Sequence, residues 1–164
     1  MVQIIDRALI ERVAEAAGAS PRKRLNYNFH SGPADNPHRF LNVLLRGTYI
    51  RPHRHLRPPK AETFLVLEGR AAVLIFDDGG QISGRYHLAN EPDGALGIDV
   101  AAGLWHTVIA LSDRVVCFEV KPGPWDAASD KEFAAWAPAE GTPEAPGYLQ
   151  DLTLLAPGSI LLEK

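Results

Sequence analysis

Short runs of β-branched, aromatic and aliphatic residues alternate with polar turn residues through most of the chain. The cluster Asp77-Asp78-Gly79-Gly80 is typical of a tight hairpin turn, and Gly, Pro and Asp break the other runs. The predicted strand segments are residues 25–29, 62–68, 71–76, 81–88, 98–100, 105–111 and 114–121, and residues 38–50 are predicted to form a strand, a turn and the start of a further strand. Many short strands at this spacing predict an all-β sandwich or barrel.

Residues 6–18 have the pattern of an amphipathic helix. Asp6 can cap the first turn, and Gly18 can end the helix in the left-handed conformation. The predicted apolar stripe consists of Leu9, Ile10, Val13, Ala16 and Ala17. We expect this helix to pack on the outside of the β domain.

The chain changes character after residue 121, where Pro, Ala and Gly become frequent. Trp125, Phe133 and Trp136 indicate a segment that is held against the β domain by aromatic side chains. Short helical turns are predicted at residues 130–136 and 148–155.

No internal repeat or second-domain boundary is visible, so residues 1–164 are predicted to form a single domain. Within it we expect an N-terminal helix and arm (1–37), a barrel (38–121) and a C-terminal extension packed on the barrel (122–164). A chain of 164 residues can bury a sizeable core. Its 46% hydrophobic and 23% charged content is usual for a globular protein.

The single cysteine, Cys117, excludes a disulfide framework and a cysteine-based zinc site within one chain. It lies in the apolar run VVCFEV, which favours a buried structural thiol over a reactive one. The opening MVQIIDRALIER lacks the features of a signal peptide, and no run approaches the ~20 apolar residues of a membrane span. We therefore expect a cytoplasmic protein with no membrane association.

Charge is unevenly distributed, although the net charge is only -3. Residues 1–70 hold 12 Lys and Arg against 6 Asp and Glu, whereas residues 71–164 hold 5 against 14. The basic half favours an anionic small-molecule ligand, or else forms a solvated rim that keeps the protein soluble. Nucleic acid is not an expected partner, because no basic helix or stacking motif accompanies a pI of about 6.1.

The stretch from Gly47 to Gly69 contains two histidines separated by one residue, His53 and His55. On a strand these two side chains share a face, and a returning antiparallel strand would place Glu62 opposite them. His106 offers a fourth ligand. Imidazole and carboxylate groups suit first-row divalent ions such as Mn, Fe, Co, Ni, Cu or Zn. Two histidines on a strand are more often surface or polar-core residues, so the prediction depends on all four side chains meeting.

Two spaced motifs resemble the signatures of the cupin superfamily: Gly47-x5-His53-x-His55-x6-Glu62-x6-Gly69 and Gly97-x5-Gly103-x2-His106. The resemblance implies a mainly β fold, a single cupin (double-stranded β-helix or jelly-roll) barrel with an N-terminal helix and a short, partly helical C-terminal tail. It also implies that the three histidines and the glutamate bind one metal ion. The sequence departs from the pattern in a longer gap before the glutamate and in Ala101 and Ala110, which replace an expected proline and asparagine.

A closer resemblance, to the WbuC family of cupin-fold metalloproteins, extends from about Ile4 to Leu149. Its matching segments are NYNFH, RPHRH, ETFLVLEG, LIFDD, GLWHTVIAL, FEVKPGPWD and DKEFAAWAPAEG. That family is associated with O-antigen polysaccharide gene clusters, which implies a sugar-related role. The cupin resemblance also implies a homodimer.

Two residues are candidates for proton transfer, Glu119 and His30. Glu119 alternates with Cys117 and Lys121 on the last barrel strand, so it either faces the interior or is an exposed strand residue. His30 shares a predicted strand face with Asn26 and Asn28. That face either lines a pocket or is the solvated face of an edge strand.

Four further residues are candidates for binding a small anionic or sugar-derived molecule. Arg51, Arg54 and Arg57 flank the histidine pair and can hold an anion. Tyr27 can reach the mouth of the pocket. Each of them can equally be an ordinary surface residue.

Three functions fit these observations. The first is a metal-dependent isomerase, epimerase, lyase or oxygenase, the second a binding module that does not turn its ligand over. The third is a structural role in which the metal only braces the barrel. An open coordination position that faces a polar pocket would favour the first two, and a closed tetrahedral site the third.

Overall fold

In a computed structural model, which describes residues 2–155, ten strands and two helices follow one another along the chain. The elements are α1 (Arg7–Ala19), β1 (Arg24–Asn28), β2 (His38–Leu45), β3 (His53–Arg54), β4 (Glu62–Glu68), β5 (Arg70–Phe76), β6 (Ile82–Ala89), β7 (Gly97–Val100), β8 (Trp105–Ala110), β9 (Arg114–Lys121), β10 (Glu132–Phe133) and α2 (Ala145–Leu155). The mainly β fold predicted from the alternating pattern is confirmed.

The strands form two five-stranded antiparallel sheets that pack face to face. The first sheet has the order β1-β2-β9-β4-β7, and the second has the order β10-β3-β8-β5-β6. Side chains from both sheets share one buried core, which includes Leu44, Phe64, Val66 and Val115 from the first sheet and Val73, Ile75 and Val108 from the second. Burial of each such side chain contributes about 1.5–3 kcal/mol. The result is a cupin-like β-sandwich whose interior widens at one end into a polar cavity.

Helix α1 covers the outer face of β1 and β2, as predicted. The carboxylate of Asp6 accepts a hydrogen bond from the backbone N–H of Leu9 at 2.8 Å, which caps the first turn. The predicted end is wrong, because the helix continues through Gly18 to Ala19, and the left-handed residue that follows is Lys23, with φ of 54°. The buried stripe is Leu9, Val13, Ala14 and Ala17, so Ala14 takes the place predicted for Ala16.

The segment after β9 runs back across the second sheet. Trp136 packs against Phe76 and Trp105, with ring centroids 5.1 and 6.1 Å apart, as expected for an aromatic anchor. The helical turn predicted at residues 130–136 is wrong, because β10 pairs there with β3. The turn predicted at residues 148–155 belongs to α2, which begins earlier, at Ala145. The last part of the predicted extension, residues 156–164, lies outside the described residues.

Neither helix of the described part of the chain is long and apolar enough to cross a membrane. Cys117 is buried in the core, where burial raises the pKa of its thiol to about 12. This bears out the structural role predicted for it.

Candidate metal centre

The four predicted metal ligands come together between the two sheets. His53 in β3 is the direct cross-strand partner of His106 in β8, and His55 follows immediately after β3. Glu62 begins β4, which belongs to the first sheet and pairs with β7 and β9. The predicted pairing of the glutamate strand with the histidine strand is therefore wrong. The connection from 56 to 61 takes the chain to the opposite sheet, and Glu62 meets the histidines across the interior.

Each of the three rings has its Nδ1 atom next to a backbone carbonyl oxygen. His53 Nδ1 is 2.9 Å from the oxygen of Arg51, and His106 Nδ1 is 2.9 Å from that of Leu104. His55 Nδ1 bonds the carbonyl of Asp130. Because a carbonyl oxygen can only accept, each Nδ1 holds the ring hydrogen, and the Nε2 lone pair is free for a metal.

The free Nε2 atoms point at the carboxylate of Glu62. His55 Nε2 lies 2.7 Å from Oε1, and His106 Nε2 lies 3.2 Å from Oε2. One ligand atom from each of the four side chains falls within 4.8 Å of the others, and all four side chains are buried. His106 Nε2 is within hydrogen-bond distance of Oε2, whereas His55 Nε2 makes no hydrogen bond with a described residue. Nitrogen lone pairs that face a carboxylate in a dry interior need a proton or a metal ion between them, and this donor set fits a divalent ion.

The ionisation of these groups also suits a metal. Burial lowers the pKa of His53 well below its usual value, and the charge of Lys131 adds to this, so the ring is neutral. Burial opposes the ionisation of Glu62, but hydrogen bonds from His106 and His55, which form where no metal ion takes their place, and the charge of Lys121 hold its pKa well below the usual range. Neutral imidazoles and an ionised carboxylate are the forms that bind a metal.

A buried network of opposite charges supports the cluster. Lys121 Nζ lies 3.2 Å from Glu62 Oε1 and 3.2 Å from Asp130 Oδ2. Lys60 Nζ lies 2.7 Å from Asp130 Oδ1. The pairing of Lys60 with Asp130 is not visible in the sequence, because nothing in the local pattern links residues 70 positions apart. For Lys121 the sequence does contain a signal. It lies two residues after Glu119 on β9, so the two side chains share one face of the strand.

A cavity of about 870 Å³ adjoins the cluster through Lys121 and Asp130, which line it, whereas none of the four candidate ligands is among its lining residues. Its walls include Asn26 and Asn28 of β1, His30 just after β1, and Glu119 and Lys121 of β9. Residues of the C-terminal segment line the far side. Of the two interpretations of the polar face of β1, the lining of a pocket is the one that the structure supports. A cavity of this size is in the range of small-molecule sites.

Glu119 lines this cavity and is 4% exposed. Asn42 Nδ2 donates to its Oε2 atom at 3.0 Å. Burial raises the pKa of Glu119 to about 8, and the negative charge of Glu62 adds to the effect. Glu119 is thus a buried acid on the cavity wall, with a pKa close to neutral pH.

His30 lies at another part of the cavity wall, where its ring stacks on His38 with centroids 4.0 Å apart. His30 Nδ1 lies 3.1 Å from the backbone carbonyl oxygen of Arg39 and 3.2 Å from the backbone nitrogen of the same residue.

Only one of the four predicted substrate-binding residues lines the cavity, and it is Arg51. Arg54 points to the outer face of β3, where it pairs with Glu132 and lies over the ring of Trp105. Arg54 lies outside the cavity because neighbours on a strand point to opposite sides, and His53 points inward. This alternation is visible in the sequence and could have excluded Arg54 from the residues expected to face the cavity.

Arg57 and Tyr27 are also placed elsewhere. Arg57 is exposed in the connection between β3 and β4, outside the cavity lining. Tyr27 alternates with Asn26 and Asn28 on β1, so its ring faces α1 and packs in the cluster under that helix. Neither residue is among those that line the cavity.

Solved structures of similar architecture share this arrangement of two facing sheets. They include the capsular polysaccharide assembling protein CapF from Staphylococcus aureus (21% identity, TM-score 0.54, 67% of this chain and 31% of CapF covered). They also include the protein TT1209 from Thermus thermophilus (20%, 0.54, 74% and 98%) and L-ribose isomerase from Cellulomonas parahominis (16%, 0.54, 70% and 70%). The chain spans about a third of the length of CapF.

Fold and site together define a cupin-fold protein with a candidate centre of three histidines and one glutamate. No curated protein matches the chain. A family model does match, over residues 5–88, just over half of the chain. The chain belongs to that family, whose description is "Domain of unknown function (DUF6016)".

Proposed function

We propose that this protein is a metal-dependent enzyme that acts on a small anionic or sugar-derived substrate. The observation behind the proposal is the position of the ligand cluster beside a polar cavity that holds the buried acid Glu119. A metal that only braced the fold would need neither the cavity nor a buried acid within it.

The ion would be held by His53, His55, Glu62 and His106, and Mn, Fe, Co, Ni and Zn all suit these donors. When bound, such an ion supplies Lewis-acid polarisation of a substrate oxygen. The protein side chains supply the remaining functions: Nδ1 bonds to backbone carbonyls fix the three rings, and Lys121 orients Glu62.

Among isomerase, epimerase, lyase and oxygenase chemistry, the cavity favours reactions that move a proton. A carboxyl group with a pKa of about 8 takes up and returns a proton readily at neutral pH. Glu119 would act as the acid and base, and His30 would be a second proton-carrying group at the cavity wall. We expect an isomerase or epimerase on these grounds.

A role in polysaccharide metabolism is part of the proposal. It rests on the resemblance to the WbuC family and on the shared fold of CapF, which is described as a capsular polysaccharide assembling protein. The identity to CapF is low, so the likeness supports the fold and leaves the substrate to experiment.

The first experiment measures the metal content of protein purified without a histidine tag. We expect close to one first-row ion per chain in the wild type and little in the double variant His53→Ala/His55→Ala. The matched control is His87→Ala, which removes a histidine of β6 outside the cluster. Equal metal in the wild type and in the double variant would refute the site.

A non-catalytic binding module is the alternative, since a buried site beside a cavity also suits ligand capture. Nucleotide sugars and keto acids are screened for product formation and for thermal stabilisation. Product formation by the wild type that is lost in a Glu119→Gln variant, while the variant keeps its metal, would support the enzymatic function. Stabilisation by a ligand without any product would support the binding module.

A homodimer and a cytoplasmic location complete the proposal. Light scattering at several protein concentrations tests the dimer, and fractionation of cells that express the tagged protein tests the location.

A further inference from the structure

We propose that the cavity binds a small molecule with two negative charges, and that Lys131 is the residue that holds its carboxylate or phosphate group. The proposal rests on the metal-dependent function proposed above and narrows its substrate to anions. It replaces the assignment of Arg54 and Arg57 with a residue that sequence analysis did not select.

The backbone places Lys131 firmly on the cavity wall. The preceding residue, Asp130, is tied to Lys60, and the following pair forms β10. In β10, Glu132 points to the outer face and pairs with Arg54, whereas the ring of Phe133 lies 6.1 Å from that of His53. Alternation along the chain therefore directs Lys131 inward, on the same side as Phe133. Both residues line the cavity.

The ammonium group of Lys131 has no hydrogen bond or ion pair with any residue between 2 and 155. Three neighbouring cations of the wall are already engaged: Arg24 with both carboxylate oxygens of Glu140, Arg51 with the carbonyl oxygen of Ala134, and Lys121 with Asp130. Lys131 is thus a half-buried cation that faces a cavity and is available to a ligand.

Lys131 lies close to the candidate centre, because it follows Asp130, whose carbonyl bonds His55, and precedes the strand in which Phe133 pairs with His53. Burial lowers the pKa of Lys131, against the opposing pull of Glu62. A bound anion would offset this cost of burial.

A count of charges predicts the charge of the ligand. Three carboxylates and three ammonium groups surround the cluster: Glu62, Glu119, Asp130, Lys60, Lys121 and Lys131. With the carboxyl of Glu119 protonated at neutral pH, two carboxylates face three ammonium groups, which leaves one positive charge in excess. A divalent ion would add two more positive charges, which is costly in a buried site. A doubly charged anion offsets most of this excess.

The rest of the cavity suits the carbon part of such a molecule. Trp125 and Phe133 contribute aromatic surface to the wall, and both are about half exposed. The volume of about 870 Å³ leaves space for an organic acid or a sugar phosphate.

The test uses calorimetric titration of the full chain reconstituted with Mn²⁺, with the metal content of each sample measured. Malonate, monomethyl malonate and dimethyl malonate have nearly the same shape and carry two, one and no negative charges. We expect affinity to fall along this series. Inorganic phosphate in a parallel titration distinguishes a phosphate preference from a carboxylate preference, and tight binding of either dianion supports the proposal.

Lys131→Met should weaken the binding of the preferred dianion by about 10- to 100-fold, and Lys131→Arg should restore most of it. The matched control is Arg57→Met, which removes one positive charge outside the cavity and should leave the affinity within about twofold.

Dimethyl malonate that binds as tightly as malonate would overturn the proposal and leave the metal centre standing. So would wild-type affinity for malonate and phosphate in a folded, metal-loaded Lys131→Met variant. A chain that takes up no Mn²⁺ would overturn the anion site and the metal-dependent function together.

Discussion

Nζ of Lys60 lies 2.7 Å from Oδ1 of Asp130, and both side chains are 2% exposed. Lys60 belongs to the connection that precedes β4, and Asp130 belongs to the segment after β9. The carbonyl of Asp130 bonds His55, and its second carboxylate oxygen bonds Lys121, which reaches Glu62. Asp130, which lies beyond the last long strand, therefore positions two of the four candidate ligands. It contacts His55 directly and reaches Glu62 through Lys121.

Loss of Lys60 should destabilise the protein. Lys60→Met leaves the buried carboxylate of Asp130 with Lys121 as its remaining partner, and we expect a loss of about 2–5 kcal/mol in the free energy of unfolding. Urea titration measures this value. The control Arg57→Met, at an exposed position, should change it by less than about 0.5 kcal/mol. The double variant Lys60→Met/Asp130→Asn should recover part of the loss, and a larger loss in the double variant would contradict the role of the pair.

Glu119→Gln should stabilise the metal-free protein in a pH-dependent way. The folded pKa of Glu119 is about 8, above its ordinary value of 4.5. Between these values the folded chain holds a proton that the unfolded chain has lost, so ionisation costs stability as pH rises and the cost becomes constant above pH 8. Gln cannot ionise and can still accept from Asn42.

The variant and the wild type should therefore unfold alike near pH 4, and the variant should gain on the order of 2–4 kcal/mol by pH 8. Denaturant titrations of chelator-treated protein at several pH values measure the difference. Glu91→Gln, at an exposed site, should show no such trend. A constant difference between pH 4 and pH 8 would show that the pKa of Glu119 is not raised.

Metal removal should lower the melting temperature. A ligand that binds only the folded chain stabilises it by about 2.7 kcal/mol at a concentration one hundred times its Kd. Chelation should therefore lower the melting temperature of the wild type and leave that of His53→Ala/His55→Ala unchanged. Equal effects on both proteins, measured by thermal unfolding followed with circular dichroism, would place the ion elsewhere.

Gly69→Ala should be more damaging than a comparable change at another left-handed glycine. Gly69 has φ of +80°, and an added Cβ would lie 2.1 Å from the carbonyl oxygen of Arg114. Gly141 has φ of +81° with nothing within 4 Å of an added Cβ. Gly141→Ala should cost about 1–2 kcal/mol from backbone strain alone.

Gly69→Ala adds a backbone clash to the same strain, so its cost should exceed that of the control by at least about 1 kcal/mol. Paired urea titrations give both values. Equal costs would mean that the β4–β5 turn shifts freely to accept the methyl group.

The sequence by itself determined the strands and the identity of the clustered side chains. Alternation and turn residues specify strands locally, because successive side chains of a strand point to opposite faces whatever lies beyond. That is why β5, β8 and β9 follow the predicted segments within a residue or two, and why the spacing of His53 and His55 sufficed to place both on one side.

Only the tertiary structure decided which strands face one another and which charges meet. The sequence pattern does not show that Glu62 lies in the sheet opposite the histidines, or that Asp130 and Lys131 reach the site from beyond the last long strand. These relations depend on contacts between residues far apart in the chain, whose energies arise only after the two sheets have packed. Local periodicity determines which side chains share one face of a strand, and long-range packing determines which residues that face contacts.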